Sequence, residues 1–275
     1  MNTHVRQPYL SIVTPVLDAA STLRATMESV SRQDASFEHV VCDAGSRDDT
    51  IAIAREYEGR HPLRIVHLPG VPLYESIARA HEDTTGEIMG WLNGDDFYHP
   101  GALRTVERVF RECPHVDWLC GVPNQYHSAT GVSVVSRRVP VYCRLFIRLG
   151  WYRDAYLGYL QQESMFWRRS LYDRADGAGV LRRYDYAGDF HLWRAFARHA
   201  RLHTVRSVLA SFTIRDGQLS RARRDRYVRE SGPVLETPPL RIAGRLLHDA
   251  VSLVGAPTVI APHRIGIDRT EKNRA

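Results

Sequence analysis

The chain has 275 residues, 44% hydrophobic and 25% charged, enough to bury one large domain or a domain with an appendage, and disorder is excluded as its default state. Thirty-seven Lys and Arg against 31 Asp and Glu give a formal charge of +6, with the excess mainly in the second half, at Arg137-Arg138, Arg168-Arg169, Arg182-Arg183 and Arg221 to Arg229. Such a balance favours anionic partners without choosing among nucleotide diphosphates, acidic lipids and nucleic acid.

The four cysteines, Cys42, Cys113, Cys120 and Cys143, have no metal-ligand spacing, so reduced thiols, no disulfide and no zinc are expected. The first residues, Met1 to Pro8, lack the apolar core of a signal peptide, and no run of 18 uninterrupted apolar residues exists. A cytoplasmic chain without a spanning helix is the expectation.

In chain order, Tyr9 to Val16 reads as a buried strand stopped by Pro15. Asp18 to Arg32 has helical spacing through Leu23, Met27 and Val30, with Ser21 or Asp18 as caps. Glu38 to Cys42 is a strand and Thr50 to Tyr57 a helix. Leu63 to Leu68, Leu73 to Glu82, Glu87 to Leu92 and Pro100 to Arg111 continue the strand and helix alternation. Repeated units of this kind predict an α/β fold with a mostly parallel sheet flanked by helices.

After about residue 117 the rhythm loosens. Ser133 to Val141 and Gln161 to Arg168 read as strands, and Tyr186 to His199 as a helix. Pro238-Pro239 marks a break before Leu240 to Val254, which sets Leu240, Ala243, Leu246, Leu247, Ala250, Val251 and Val254 on one face against Arg241, Arg245, His248 and Asp249. The expected organisation is therefore a domain over 1–235, in halves 9–117 and 118–235, with a helical appendage over 236–275.

Ligands of parallel sheets bind beyond the carboxyl ends of strands, and Pro15, Asp43 and Asp95 all fall at such ends. The run Trp91-Leu92-Asn93-Gly94-Asp95-Asp96 ends an apolar stretch in two acids, whose hard oxygens suit Mg²⁺ or Mn²⁺ and hence a diphosphate. Alone, such a pair equally marks a turn or a helix start.

Taken together these segments resemble the inverting family 2 glycosyltransferases of the GT-A fold, of the bacterial polysaccharide and lipopolysaccharide type. The resemblance rests on Leu10 to Val16, on Val41 to Thr50 as the Asp-Gly-Gly-Ser-x-Asp-Gly-Thr element, on Leu73-Tyr74-Glu75, Thr85 to Ile88 and Trp91 to Asp96. Gln161 to Ser170 and Tyr186 to Trp193 continue it as acceptor-side segments. The similarity covers roughly residues 9 to 220.

The resemblance implies a nucleotide-binding role for Asp43, with Pro15 and Val16 shaping the base and ribose pocket. It implies a ribose or metal contact for Asp95 and a metal ligand in Asp96, with Mg²⁺ or Mn²⁺ as cofactor. Arg79, where the family often has Asn-Lys-Gly, would add a positive contact to the leaving diphosphate or form a solvated helix face. Asn93 stands where the family's first acid lies, and Asp216 where a His is common, as a further metal ligand or loop anchor. Gln162 and Glu163 would touch acceptor or donor sugar, or fill a buried polar role. Asp189 matches the general base that inverting displacement requires, with a simple N-cap as its alternative.

The expected activity is transfer of a sugar from a nucleoside diphosphate donor, a UDP-sugar first, to a hydroxyl on a glycan or lipid-linked acceptor in cell-surface polysaccharide synthesis. The alternative is a non-catalytic nucleotide-sugar or glycan-binding protein of the same fold. Specific nucleic-acid binding is not expected, because the Arg221 to Arg229 cluster has one aromatic, Tyr227. The segment 240–254 would give peripheral contact with the inner face of the cell membrane, or else pack on the catalytic domain or a second subunit.

Overall fold

The computed structural model describes residues 8–137, 139–153, 156–215, 218, 223–233, 238–253 and 258–261. Its centre is an eight-stranded sheet. In chain order the strands of this sheet are β1 (Leu10–Val16), β2 (Phe37–Asp43), β3 (Leu63–His67), β4 (Ile88–Trp91), β6 (Trp118–Cys120), β9 (Met165–Arg168), β10 (Leu202–Val205) and β12 (Val259–Ile260). Their spatial order is β12-β10-β6-β9-β4-β1-β2-β3. All neighbours are parallel except β9, which runs antiparallel to both β4 and β6. The expected mostly parallel sheet is what forms.

Because side chains alternate across a strand, each strand feeds two cores. Leu10 and Ile12 point into a cluster under α4 (Ala102–Glu112), where Leu103, Val106, Val109 and Phe110 are buried. Val13 points to the opposite face, into the cluster with Tyr74 and Ile77 of α3 (Leu73–Glu82) and Trp193 and Phe196 of α8 (Gly188–His199). Helices α1 (Leu23–Ser31) and α2 (Thr50–Arg55) close a third cluster around Val41 and Tyr57. Neither Ser21 nor Asp18 caps α1; Thr22 precedes it and donates to Ala19 O and Gly94 O.

A second sheet stands beside the first, in the order β5 (Phe97–Tyr98), β11 (Ala210–Ile214), β7 (Asn124–His127), β8 (Val132–Val135). Short helices α5 (Arg144–Leu149), α6 (Arg169–Arg174), α7 (Gly177–Leu181) and α9 (Arg224–Glu230) fill in the second half. The strand expected over Gln161 to Arg168 begins with a 3₁₀ turn, Gln162–Ser164, before β9.

The C-terminal helix forms as α10 (Pro238–Leu253). The chain after it returns to the main sheet, where β12 pairs in parallel with β10 through Thr204↔Val259 and Val205↔Ile260. The boundary expected at residue 235 is thus bridged, because β12 hydrogen-bonds into the main sheet. The four cysteines carry free thiols, Cys42 and Cys120 buried. Among the described residues, no helix is long and apolar enough to cross a membrane.

Candidate active site

Pro15, Val16 and Asp43 come together at the carboxyl ends of β1 and β2, where the parallel register sets Pro15 opposite Cys42 and Val16 opposite Asp43. Asp43 is buried, and its Oδ1 accepts the Ser46 N–H at 3.0 Å while Oδ2 lies 3.3 Å from His67 Nδ1 at the end of β3. The loop after β1 is laced to the loop after β2. Asp18 Oδ1 accepts the Arg47 N–H (2.8 Å), Ser46 Oγ accepts the Asp18 N–H (3.0 Å), and Asp48 Oδ2 accepts the Ala20 N–H (3.0 Å). Asp18 holds this with a left-handed φ of 48°, a conformation that a short polar side chain tolerates.

The acid loop after β4 lies against that pocket. Gly94 sits where any side chain would collide with Val16, so glycine is required by close approach. Helix α1 grips the loop backbone, with Thr22 Oγ1 donating to Gly94 O (2.8 Å) and Thr26 Oγ1 to Asp96 O (2.7 Å). The two acids then diverge. The Asp96 carboxyl is buried, its Oδ1 accepts the Thr213 N–H from β11 at 2.8 Å, and its Oδ2 faces Asn93 Nδ2 at 3.3 Å. Burial, then the neighbouring Glu163 and Asp95 charges, hold its pKa well above the carboxylate range. Asp95 instead pairs with Arg215, 3.1 Å from Nη2, its side chain 18% exposed. The cation beside the acids is Arg215, whereas Arg79 lies on α3 paired with Glu75 at 2.7 Å.

Gln162 and Glu163 occupy the 3₁₀ turn beneath this loop. Gln162 Nε2 donates to Trp91 O (2.6 Å), and its Oε1 accepts from Asn93 Nδ2 (3.0 Å). Glu163 is buried beside the acids with Oε1 unpartnered in the protein, and burial followed by the Asp95 charge raises its pKa. Asp216 lies outside the described residues. Among the described residues, no three His, Cys, Asp or Glu side chains converge as a cation site. One carboxylate together with diphosphate oxygens is a sufficient donor set for Mg²⁺, so Asp95 fits such an ion as the protein's contribution.

Asp189 stands in the first turn of α8, partly buried. Tyr74 Oη donates to its Oδ1 at 2.9 Å, and Tyr227 of α9 hydrogen-bonds to the same carboxyl. Burial raises its pKa to about 6, and the hydrogen bonds from backbone and phenols pull the other way. Beside it lies a cavity walled by Tyr152, Tyr159, Leu160, Phe190, Trp193 and Tyr227. No side chain of α8 caps its own start. That role falls to Glu230, whose two oxygens accept the N–H groups of Asp185 (2.9 Å), Tyr186 (2.7 Å) and Ala187 (2.5 Å).

Tryptophans tie the acid loop to α8. Trp91, the last residue of β4, stacks on Trp193 with centroids 5.7 Å apart, and Trp118 also stacks on Trp193 at 5.5 Å. A rigid aromatic column thus runs between the segment bearing Asp95 and the helix bearing Asp189.

The glycosyl transferase family 2 profile matches residues 11–186, well over half of the chain. The chain belongs to glycosyltransferase family 2. Among its relatives is a PGL/p-HBAD biosynthesis glycosyltransferase of Mycobacterium bovis, 34% identical over 118 residues, which are 42% of this chain and 46% of that one. The chondroitin synthase of Escherichia coli is 29% identical over 109 residues, 39% of this chain and 16% of that enzyme. The chain spans less than half the length of these curated relatives.

Solved structures share the GT-A fold. S. aureus TarS 1-349 in complex with UDP-GlcNAc superposes with a TM-score of 0.59 at 18% identity, over 90% of this chain and 67% of that one. The mannosyltransferase PcManGT from Pyrobaculum calidifontis in complex with GDP-Man and Mn²⁺ gives 0.56 at 16%, over 96% and 74%.

Proposed function

We propose that this family 2 chain is an inverting, metal-dependent glycosyltransferase that moves a sugar from a nucleoside diphosphate donor, a UDP-sugar, to a hydroxyl of a glycan or lipid-linked acceptor in cell-surface polysaccharide synthesis. The observation that carries the reading is Asp189, a carboxyl with a pKa near 6 held by two phenols beside a small pocket. A pure binding protein has no need of such a group, which favours catalysis over the non-catalytic alternative.

In this reading Asp189 takes the proton of the acceptor hydroxyl as its oxygen forms a bond to the anomeric carbon. The bond from that carbon to the diphosphate oxygen breaks on the opposite face, and the nucleoside diphosphate leaves. A pKa near 6 leaves the group ionised at neutral pH yet basic enough to accept a proton. Asp43 and Val16 form the base pocket, with His67 as a further polar edge. Asp95 would hold the divalent cation, and Arg215 is placed to turn from Asp95 to the phosphates. A bound cation supplies charge stabilisation to the leaving diphosphate. Asp96, expected above as the metal ligand, is assigned instead to fixing the loop, because both its oxygens already face donors inside the protein. Residues to about 235 contribute the catalytic machinery.

The test is calorimetric titration with UDP and with GDP, each with Mn²⁺ and with EDTA, followed by NMR of the product's anomeric configuration. Metal-dependent binding of UDP and an inverted linkage support the proposal. A retained configuration, or no binding of either nucleotide, overturns it.

A further inference from the structure

Helix α10 is amphipathic, but it packs on the protein with the wrong face for a core helix. Its contact side is Gly244, Arg245 and His248. Gly244 is buried, and a side chain there would collide with Tyr156 and Trp151. Arg245 Nη2 donates to Tyr156 O at 3.2 Å, and His248 meets the Tyr152 ring at 5.9 Å. The apolar side is turned outward: Ile242, Leu246 and Leu247 are 64%, 66% and 53% exposed, and Ala243 and Ala250 are exposed with them. Burying each such leucine or isoleucine is favourable by about 1.5–3 kcal/mol, so a folded chain that leaves three of them on one stripe has a surface suited to an apolar phase.

The neighbouring helix repeats the pattern. On α5, Leu145 and Leu149 are exposed one turn apart, with Arg148 exposed between them, while Phe146 and Ile147 are buried. Arg144 and Arg194 fasten α5 to α8 through the carbonyls of Ala197, Arg198 and Arg148. The surrounding segments are cationic. No Asp or Glu occurs from Trp118 to Arg153 or from Phe190 to Arg215, and Arg148, Arg198 and Arg201 are exposed there.

From these two observations we infer that the outer faces of α10 and α5 form a docking surface for an anionic lipid bilayer, with the leucines inserted at the headgroup level and the arginines over the phosphates. Charge decides between lipid and a second copy of the chain. A two-fold interface would place the acid-free, arginine-bearing segments beside α5 against themselves, with Asp249 the single acid of α10, whereas an anionic bilayer neutralises them. The orientation suits an acceptor carried by lipid, because Tyr152 touches α10 through His248 and also walls the cavity beside Asp189.

The experiment is flotation of the full chain with vesicles of phosphatidylcholine alone and of phosphatidylcholine with one-third phosphatidylglycerol, at 0.1 M and 0.5 M NaCl. It is repeated with Leu246→Glu/Leu247→Glu and with Arg148→Glu/Arg201→Glu, all exposed positions, and melting temperature is followed for each variant. Association with the anionic vesicles only, weakened by salt and reduced at least tenfold in each variant at unchanged melting temperature, is the expected result. Absence of association, or association that the leucine variant leaves intact, overturns it. So does a concentration-dependent dimer in light scattering that the leucine variant dissociates in the absence of lipid, which assigns the face to a second copy. None of these readouts depends on catalysis, so they stand or fall apart from the assigned reaction.

Discussion

The Tyr74 hydroxyl donates to Asp189 Oδ1 across 2.9 Å, joining residues 115 apart in sequence through a phenol that is itself buried. The same oxygen also lies 3.2 Å from the Tyr186 carbonyl, so one ring fixes both the carboxyl and the turn before its helix. Gly188 makes this possible, because any side chain there would strike the Tyr74 ring. A hydrogen bond to a charged acceptor is worth roughly 1.5–3 kcal/mol, or about one to two pKa units. Tyr74→Phe is therefore expected to move the acid limb of the kcat/KM profile upward by about one pH unit. An unmoved limb would separate Tyr74 from the base.

On the proposed reaction, the raised pKa of Asp189 sets the pH dependence of the unmodified protein. As the proposed base, Asp189 works only when ionised, so kcat/KM should rise with pH and reach half its plateau near pH 6. A profile flat from pH 5 to 8 would remove Asp189 from the proton transfer. Rates measured in a wide-range buffer at constant ionic strength decide it.

Holding that carboxyl in place has a stability cost whose sign is fixed. A folded-state pKa of about 6 lies above the ordinary value of 3.8, so the favourable contribution is complete below the unfolded value and is lost as pH rises through 6. Partial exposure discounts the two-unit shift, leaving on the order of 1–2 kcal/mol. Asp189→Asn should therefore melt higher than the parent at pH 8, converge with it at pH 4, and lose at least a hundredfold in kcat. Equal melting at both pH values would contradict the assigned burial cost.

The adjacent acids should respond in opposite ways. Asp95→Asn is expected to weaken Mn²⁺-dependent nucleotide binding at least tenfold while leaving the melting temperature within a degree or two. Asp96→Ala removes a buried acceptor from the Thr213 N–H and should cost about 1–3 kcal/mol of stability. The reverse outcome, with Asp96→Ala folding normally and losing only the metal, would restore the role first expected of it.

Glu230 is the fourth handle. Its carboxylate accepts three backbone N–H groups at the start of α8, where partial positive charge accumulates. Glu230→Ala should destabilise the protein by about 1–2 kcal/mol and lower kcat without changing donor KM. A raised donor KM instead would place Glu230 in the nucleotide site.

Much of the first half was readable from local pattern. Strands such as Leu10–Val16 announce themselves as β-branched runs, and their order puts Pro15, Asp43 and Asp95 at one edge. Long-range pairings carried no such signal. Nothing local distinguishes Asp95 from Asp96; their surroundings differ because β11 and the residue after it, more than a hundred residues later, bring the Thr213 N–H to Asp96 and the Arg215 guanidinium to Asp95. Tyr227 sat in an arginine-rich run that reads as a solvated helix, yet its ring turns inward to Asp189. The amphipathic pattern of α10 was legible, whereas the side it presents to the protein depends on Trp151 and Tyr156.

The three hydrogen bonds to Glu230 also redraw where the working unit ends. The family-matched segment stops at residue 186, within the turn that Glu230 clasps. A chain cut at that boundary would lose Asp189 and Arg215 themselves, along with the carboxylate that holds the turn before α8. The profile-matched segment is therefore shorter than the structural unit, because β10, β11 and α8, all beyond residue 186, complete the two sheets and the core around Trp193.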